Sequence, residues 1–277
     1  MTDPESAEAP LGGVPAPPPR WSALDRGVGR PVVFLHGYPL NHTMWGPQVD
    51  PLSDGHRVVL IDLPGFGFAR DHRAPEQFWP YVEEIGWALE AHLTTPAVVV
   101  GHSFGGYLAL GLYRTHPRLF AGLALADTRS DPDTAKARET RLATAARLEG
   151  PNERLAVDDV ARGLVAPATW ATGGAVVEHV RAMVNEAASP AVVSALRAIA
   201  DRPDLGPILP TISVPTIVLW GAEDQLIPPE QSESMTRRIV GSTGVAIPGA
   251  GHVPSLEAPD SFNGALRHFL DSLPPPR

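Results

Sequence analysis

Ala97-Val98-Val99-Val100-Gly101-His102-Ser103-Phe104-Gly105-Gly106 joins a short, wholly apolar run to a segment that reads as a helix ending near His116-Pro117. The centre of it is Gly-x-Ser-x-Gly in strand-to-helix context. A turn that sharp holds the serine in a strained backbone conformation, and glycines two positions either side let strand and helix approach closely. It pushes the Ser103 hydroxyl out of the sheet. It also leaves the Phe104 N–H at a helix N-terminus, where unpaired donors and the helix dipole stabilise an anionic oxygen. An ordinary Gly-rich turn is the competing interpretation, and the flanking strand and helix weigh against it.

Outward from this stretch, Pro31–Leu35, Arg57–Asp62, Leu119–Ala126 and Pro215–Trp220 repeat the apolar signature, and Gly244–Ile247 is a shorter copy. Continuous apolarity predicts parallel strands covered on both faces. Between them Phe78, Tyr81, Val82, Ile85 and Leu89 recur at helical spacing, and Phe262, Leu266, Phe269 and Leu270 mark a last amphipathic helix. Strand and helix alternate, which predicts an α/β fold with right-handed crossovers. From about 128 to 210 no strand-like run occurs, only Ala-rich segments such as 134–148 and 190–200. A structureless loop of that length is improbable, so this segment reads as a helical cap over a core formed by 21–127 and 211–277. Residues 1–20 carry six prolines among small and acidic residues and read as a disordered tail.

Composition narrows the chemistry. With 277 residues and 43% hydrophobic content the chain can build a substantial core. A net charge of −9 and the lack of Lys/Arg runs argue against nucleic acid or an anionic membrane as partner. Zero cysteines remove disulfides, thiolate metal sites and thiol catalysis, so any nucleophile is an oxygen. No stretch has the length and apolarity of a membrane span and the N-terminus lacks the pattern of a signal peptide, so a cytoplasmic location is expected.

A serine hydroxyl is a weak nucleophile at neutral pH and requires a base with a group to orient it. His252, in the Gly-rich loop Pro248-Gly-Ala-Gly-His252, and Asp224, just beyond the Pro215–Trp220 strand, fit those roles in chain order. In this reading His252 takes the Ser103 proton, and Asp224 fixes its tautomer and stabilises the imidazolium. Glu223 and Asp127 are rival acids; Asp224 is preferred because a strand-end Asp such as Asp127 more often serves a turn or cap. His102 is expected to point away from the Ser103 pocket, and the other histidines read as satisfied or solvated. A second oxyanion donor is expected in His36-Gly37-Tyr38-Pro39-Leu40; Pro39 has no N–H, so Tyr38 is the candidate alongside Phe104. Asp62-Leu-Pro-Gly65-Phe-Gly67 lacks the residues of a phosphate-binding loop and reads as a tight structural turn.

These five motifs, in this order, resemble the α/β-hydrolase superfamily over nearly everything from Trp21 onward. The resemblance implies a mostly parallel central sheet flanked by helices, with a helical cap inserted after the sixth strand. His-Gly-Tyr-Pro-Leu is similar to the cofactor-free haloperoxidase (perhydrolase) branch, and Leu125-Ala-Asp127-Thr with the following helices is similar to the enol-lactone hydrolases. Both imply a serine esterase-like enzyme that cleaves a small-molecule ester or lactone through an acyl-enzyme, with no cofactor and no metal. A C–C bond (diketone) hydrolase or perhydrolase on the same triad, and a ligand-binding sensor with little turnover, stand as alternatives. The apolar cap residues Leu164, Trp170, Met183 and Val184 read either as pocket lining or as the cap's own core.

Overall fold

In the computed structural model residues 22–275 are described; the tail expected over 1–20 lies outside them. Seven strands form one sheet: β1 (Ser22–Arg26), β2 (Arg30–Leu35), β3 (His56–Ile61), β4 (Ala97–His102), β5 (Phe120–Ala126), β6 (Thr216–Gly221) and β7 (Thr243–Ile247). Their order is β1-β3-β2-β4-β5-β6-β7, parallel throughout except for the antiparallel pairing of β1 with β3. One strand, β1, has no counterpart among the apolar runs of the sequence, and β7, expected over Gly244–Ile247, is weakly patterned. Ser22-Ala-Leu-Asp-Arg26 has no apolar run, and β7 is an edge strand whose exposed Thr243, Gly244 and Ala246 dilute the signal.

The helices are α1 (Gly46–Ser53), α2 (Phe78–His92), α3 (Phe104–Thr115), α4 (Ala135–Leu148), α5 (Val157–Leu164), α6 (Pro167–Thr172), α7 (Ala175–Glu186), α8 (Ser189–Asp201), α9 (Pro229–Arg238), α10 (Pro254–Glu257) and α11 (Pro259–Ser272). Helix α3 stops at His116 because Pro117 cannot continue the ladder. Thr134 caps α4 by accepting the Ala137 N–H. Helices α4–α8 make up the segment between β5 and β6. Counted among the described strands, this insertion follows the fifth strand where the sixth was expected, because a single strand, β1, precedes β2.

Alternation along the strands divides the core. Val33, Leu35, Val59, Val99, Leu123 and Val218 face α2, α3 and α8, whereas Val32, Phe34, Val58, Val100, Ala124 and Leu219 face α1 and α11 on the other side, with α5 and α7. Over β2 to β6 helices cover both faces, which is why those strand sequences are continuously apolar. Phe262 of α11 is wholly buried beside Trp45, ring centroids 6.1 Å apart. Phe262→Ala is expected to cost about 3–5 kcal/mol in a urea titration; a loss well below that would show that α11 can collapse into the space. No described helix is long and apolar enough to cross a membrane.

Parallel strands end their carboxyl edges on one side, and every candidate side chain follows such an edge: Tyr38 after β2, Ser103 after β4, Asp127 after β5, Asp224 after β6 and His252 after β7. The chain reverses its winding direction between the neighbours β2 and β4, where crevices form in sheets of this kind.

Candidate active site

Ser103 occupies φ 50° and ψ −113°, a conformation that costs about 1–3 kcal/mol in a non-glycine residue and persists only where the surroundings enforce it. The surroundings do so by close approach. A Cβ on Gly101 would stand 2.5 Å from the Gly105 carbonyl oxygen, and one on Gly105 2.4 Å from that of Leu35. The elbow is tied to β5 as well: the Ser103 N–H donates to the Ala126 carbonyl at 2.9 Å, and Thr128 Oγ1 donates to the Ser103 carbonyl at 2.8 Å.

The loop after β2 folds against this elbow. Its turn is closed by the Leu40 N–H donating to the Gly37 carbonyl at 2.9 Å, which places Tyr38 and Pro39 at the corner. A Cβ on Gly37 would lie 2.4 Å from His102 Nδ1 and 3.1 Å from Ser103 Cβ, so only glycine allows the contact. His36 braces the loop from below, its Nε2 accepting the Leu63 N–H at 2.9 Å and its Nδ1 donating to the Gly37 carbonyl at 3.0 Å. Burial holds the His36 pKa below the ordinary imidazole value against the pull of Asp62, consistent with that neutral tautomer.

The acid and histidine loops are zipped together by Ala222 N–H to the Ile247 carbonyl at 3.0 Å and Glu223 N–H to the Ala250 carbonyl at 2.9 Å. At Gly221 a Cβ would fall 1.8 Å from the Gly251 carbonyl oxygen, so the two loops cannot approach this closely with any side chain there. The result is His252 Nδ1 donating to Asp224 Oδ2 at 2.7 Å, both side chains buried. Asp224 Oδ1 accepts the N–H groups of Leu226 and Ile227 at 2.8 and 3.1 Å. Burial alone would raise the Asp224 pKa, but His252 and these two donors bring it below the usual carboxylate value. Glu257 secures the histidine loop to the inserted helices, accepting the N–H groups of Gly251 and Ala166 at 2.8 Å each.

Ser103 and His252 line one cavity of about 280 Å³, together with Tyr38, Phe104, Tyr107 and Leu164. Phe104 opens α3, where the first N–H groups have no partner within the helix. Of the apolar residues of the insertion singled out from sequence, Leu164 reaches this cavity. Met183 and Val184 are buried among other side chains, and Trp170 is flanked by the guanidinium groups of Arg162 and Arg181. Glu223, the neighbouring rival acid, is exposed, whereas Asp224 is buried.

Two roles in this region carry no sequence signal. His102 is buried, and its Nε2 donates to the His252 carbonyl at 2.6 Å, holding the histidine loop. Burial, with His252 alongside, pushes the His102 pKa down to about 3, so it stays neutral. Asp127 is also wholly buried, with φ 43°; its Oδ1 accepts the Gly221 N–H at 2.8 Å, and its carboxyl group faces that of Asp224. Burial and then the neighbouring Asp224 raise its pKa well above the ordinary value, which favours its neutral form beside the Asp224 carboxylate. Among the described residues Asp127, Asp224 and His252 also form a grouping of potential metal ligands, their atoms within 4.8 Å of one another. The Asp224–His252 hydrogen bond already engages two of the three.

A group whose folded pKa is raised contributes stability below its unfolded pKa and loses it as pH rises toward the folded value. Asp127→Asn is therefore expected to stabilise the fold at neutral pH, the gain shrinking by about 1.4 kcal/mol per pH unit on approach to the ordinary carboxylate range. Urea titrations of both proteins at a series of pH values measure this. A pH-independent difference would show Asp127 to be ionised.

The family model described as "Alpha/beta hydrolase family" matches residues 32–265. The chain belongs to that family. The hydrolase is 30% identical over 261 residues to a pimeloyl-[acyl-carrier protein] methyl ester esterase of Xanthomonas oryzae pv. oryzae, across 90% of this chain and 98% of that one. A thermophilic esterase from Thermogutta terrifontis, solved with malate bound, superposes with a TM-score of 0.84 at 35% identity, covering 90% of this chain and 92% of that one. The enol-lactonase of Burkholderia xenovorans LB400 shares the fold at a TM-score of 0.82 and 22% identity, covering 90% of this chain and 95% of that one. Family and relatives together place the chain among the carboxylic ester hydrolases.

Proposed function

We propose that the protein hydrolyses small carboxylic esters or lactones through an acyl-enzyme on Ser103. The observation that carries this reading is the buried 2.7 Å Asp224–His252 hydrogen bond behind a cavity whose wall His252 shares with Ser103 at its strained turn. His252 Nε2 takes the hydroxyl proton as Ser103 Oγ bonds to the substrate carbonyl carbon, and the carbonyl oxygen becomes an anion facing the N–H groups of Tyr38 and Phe104. Collapse of this intermediate breaks the bond to the alcohol, which leaves with the proton held by His252. Water then attacks the acyl-enzyme by the same route, giving the acid and restoring Ser103. Asp224, fixed by two backbone donors, keeps Nδ1 protonated so that Nε2 can act as base.

In this reading residues 21–127 and 211–277 are the catalytic core, and 128–210 are a cap that closes the cavity and sizes the acyl group. A volume of about 280 Å³ suits a compact substrate. Initial rates over chromogenic esters of increasing acyl length, together with small lactones, test the proposal. Multiple turnovers with an optimum at short acyl chains are expected. Stoichiometric capture without turnover would favour a ligand sensor instead.

A further inference from the structure

The cavity shared by Ser103 and His252 is also lined by two arginines: Arg129, just beyond β5, and Arg141 on α4. Hydrolysis of a neutral ester gives them nothing to do, because the developing oxyanion is met by backbone donors. Their protein partner is the buried Asp133, which accepts from Arg129 Nη2 at 2.8 Å and Arg141 Nε at 2.7 Å. A third guanidinium, Arg202, lies 3.6 Å from the same carboxylate, wholly buried, with its centre 3.7 Å from the centroid of the Tyr107 ring. Three cations therefore share one anion. A donor is left over too: Arg129 Nε is buried without an acceptor among the described residues. Unmet buried donors of this kind are costly unless something else supplies the acceptor.

The remaining carboxylate on the cavity wall, Asp159, is exposed and hydrated, so its field is screened more than that of the buried group. The excess positive charge sits where a bound substrate would extend from Ser103. Guanidinium groups suit a planar carboxylate, which they can meet with two parallel N–H bonds.

We propose that Arg129 and Arg141 form a subsite for a carboxylate carried by the acyl part of the substrate, so that half-esters of dicarboxylic acids are preferred over neutral esters of equal length. Arg202 and Asp133 hold the two guanidiniums in place without touching the substrate. The inference rests on the ester-hydrolase reading above and adds the substrate class to it. Ser103 bonds to the ester carbonyl, the alcohol departs with its proton, and water releases the dicarboxylate; the distal carboxylate is unchanged throughout.

The test compares kcat/KM for monomethyl succinate, glutarate and adipate with methyl butyrate, valerate and hexanoate. At the best-fitting length the half-ester is expected to win by about tenfold or more, and added salt should shrink that margin. In Arg129→Gln and Arg141→Gln the ratio of half-ester to neutral-ester kcat/KM should fall toward one. Since either change removes a partner of the buried Asp133, calorimetry on the unaltered protein is the parallel measurement: the dicarboxylate should bind more tightly than the monocarboxylate of equal length. Neutral esters favoured at every length, a preference untouched in folded variants, or equal binding of the two acids would each overturn the subsite. If no ester of either kind is turned over, the ester-hydrolase reading falls, while calorimetry still decides whether the carboxylate subsite exists.

Discussion

Ser103→Ala is expected to lower kcat for ester hydrolysis by about 10⁶-fold, leaving only the residual acceleration from the oxyanion donors and from binding. The size of the effect follows from the role: without Oγ no acyl-enzyme forms, and His252 has no hydroxyl to deprotonate. The fold should survive, because the elbow is enforced by the close approaches at Gly101 and Gly105 and by the bonds of the Ser103 backbone to Ala126 and Thr128, none of which involves Oγ. A melting temperature near that of the unaltered protein, measured on the same preparation, separates lost chemistry from lost structure. Turnover close to the original rate in a folded variant would place the nucleophile elsewhere.

Asp224→Asn is expected to cost about 10⁴-fold in kcat. Oδ1 of Asp224 is held by the N–H groups of Leu226 and Ile227, so the amide oxygen of asparagine would take that position and turn its NH₂ toward His252. His252 would then have to present an unprotonated Nδ1, which puts the proton on Nε2 and removes the base facing Ser103. Asp127→Asn should behave differently. Asp127 accepts at Oδ1 and its raised pKa favours the neutral acid, whose acceptor and donor pattern asparagine reproduces, so a loss below about tenfold is expected. Steady-state kinetics on the two variants decide between the acids. A large loss at Asp127 with a mild one at Asp224 would reverse their roles.

The elements most legible in the sequence are those in which one physical demand fixes residue type and spacing together. Strands β2 to β6 are apolar on both faces because helices cover both, and the Ser103 turn demands glycine at 101 and 105 because backbone atoms occupy the space where side chains would go. Strand β1 is the counter-case: at the edge, with one antiparallel neighbour, Ser-Ala-Leu-Asp-Arg carries no burial pattern. The site divides in the same way. Asp224 and His252 could be placed from chain order and from their positions after strand ends. The raised pKa of Asp127 could not, since it arises from burial and from a carboxylate 97 positions away in the chain, and neither is visible at position 127 itself. His102 bracing the His252 carbonyl, and three arginines converging on Asp133 from a loop and two helix regions, are likewise products of tertiary packing.

Ser103 Oγ is the atom proposed to bond to substrate, and a fluorophosphonate label read by peptide mass spectrometry tests that most directly. One phosphonyl adduct on the peptide containing Ser103, formed in parallel with loss of esterase activity and absent from Ser103→Ala, is the predicted result. An adduct on another residue, or activity that survives complete labelling of Ser103, would contradict it.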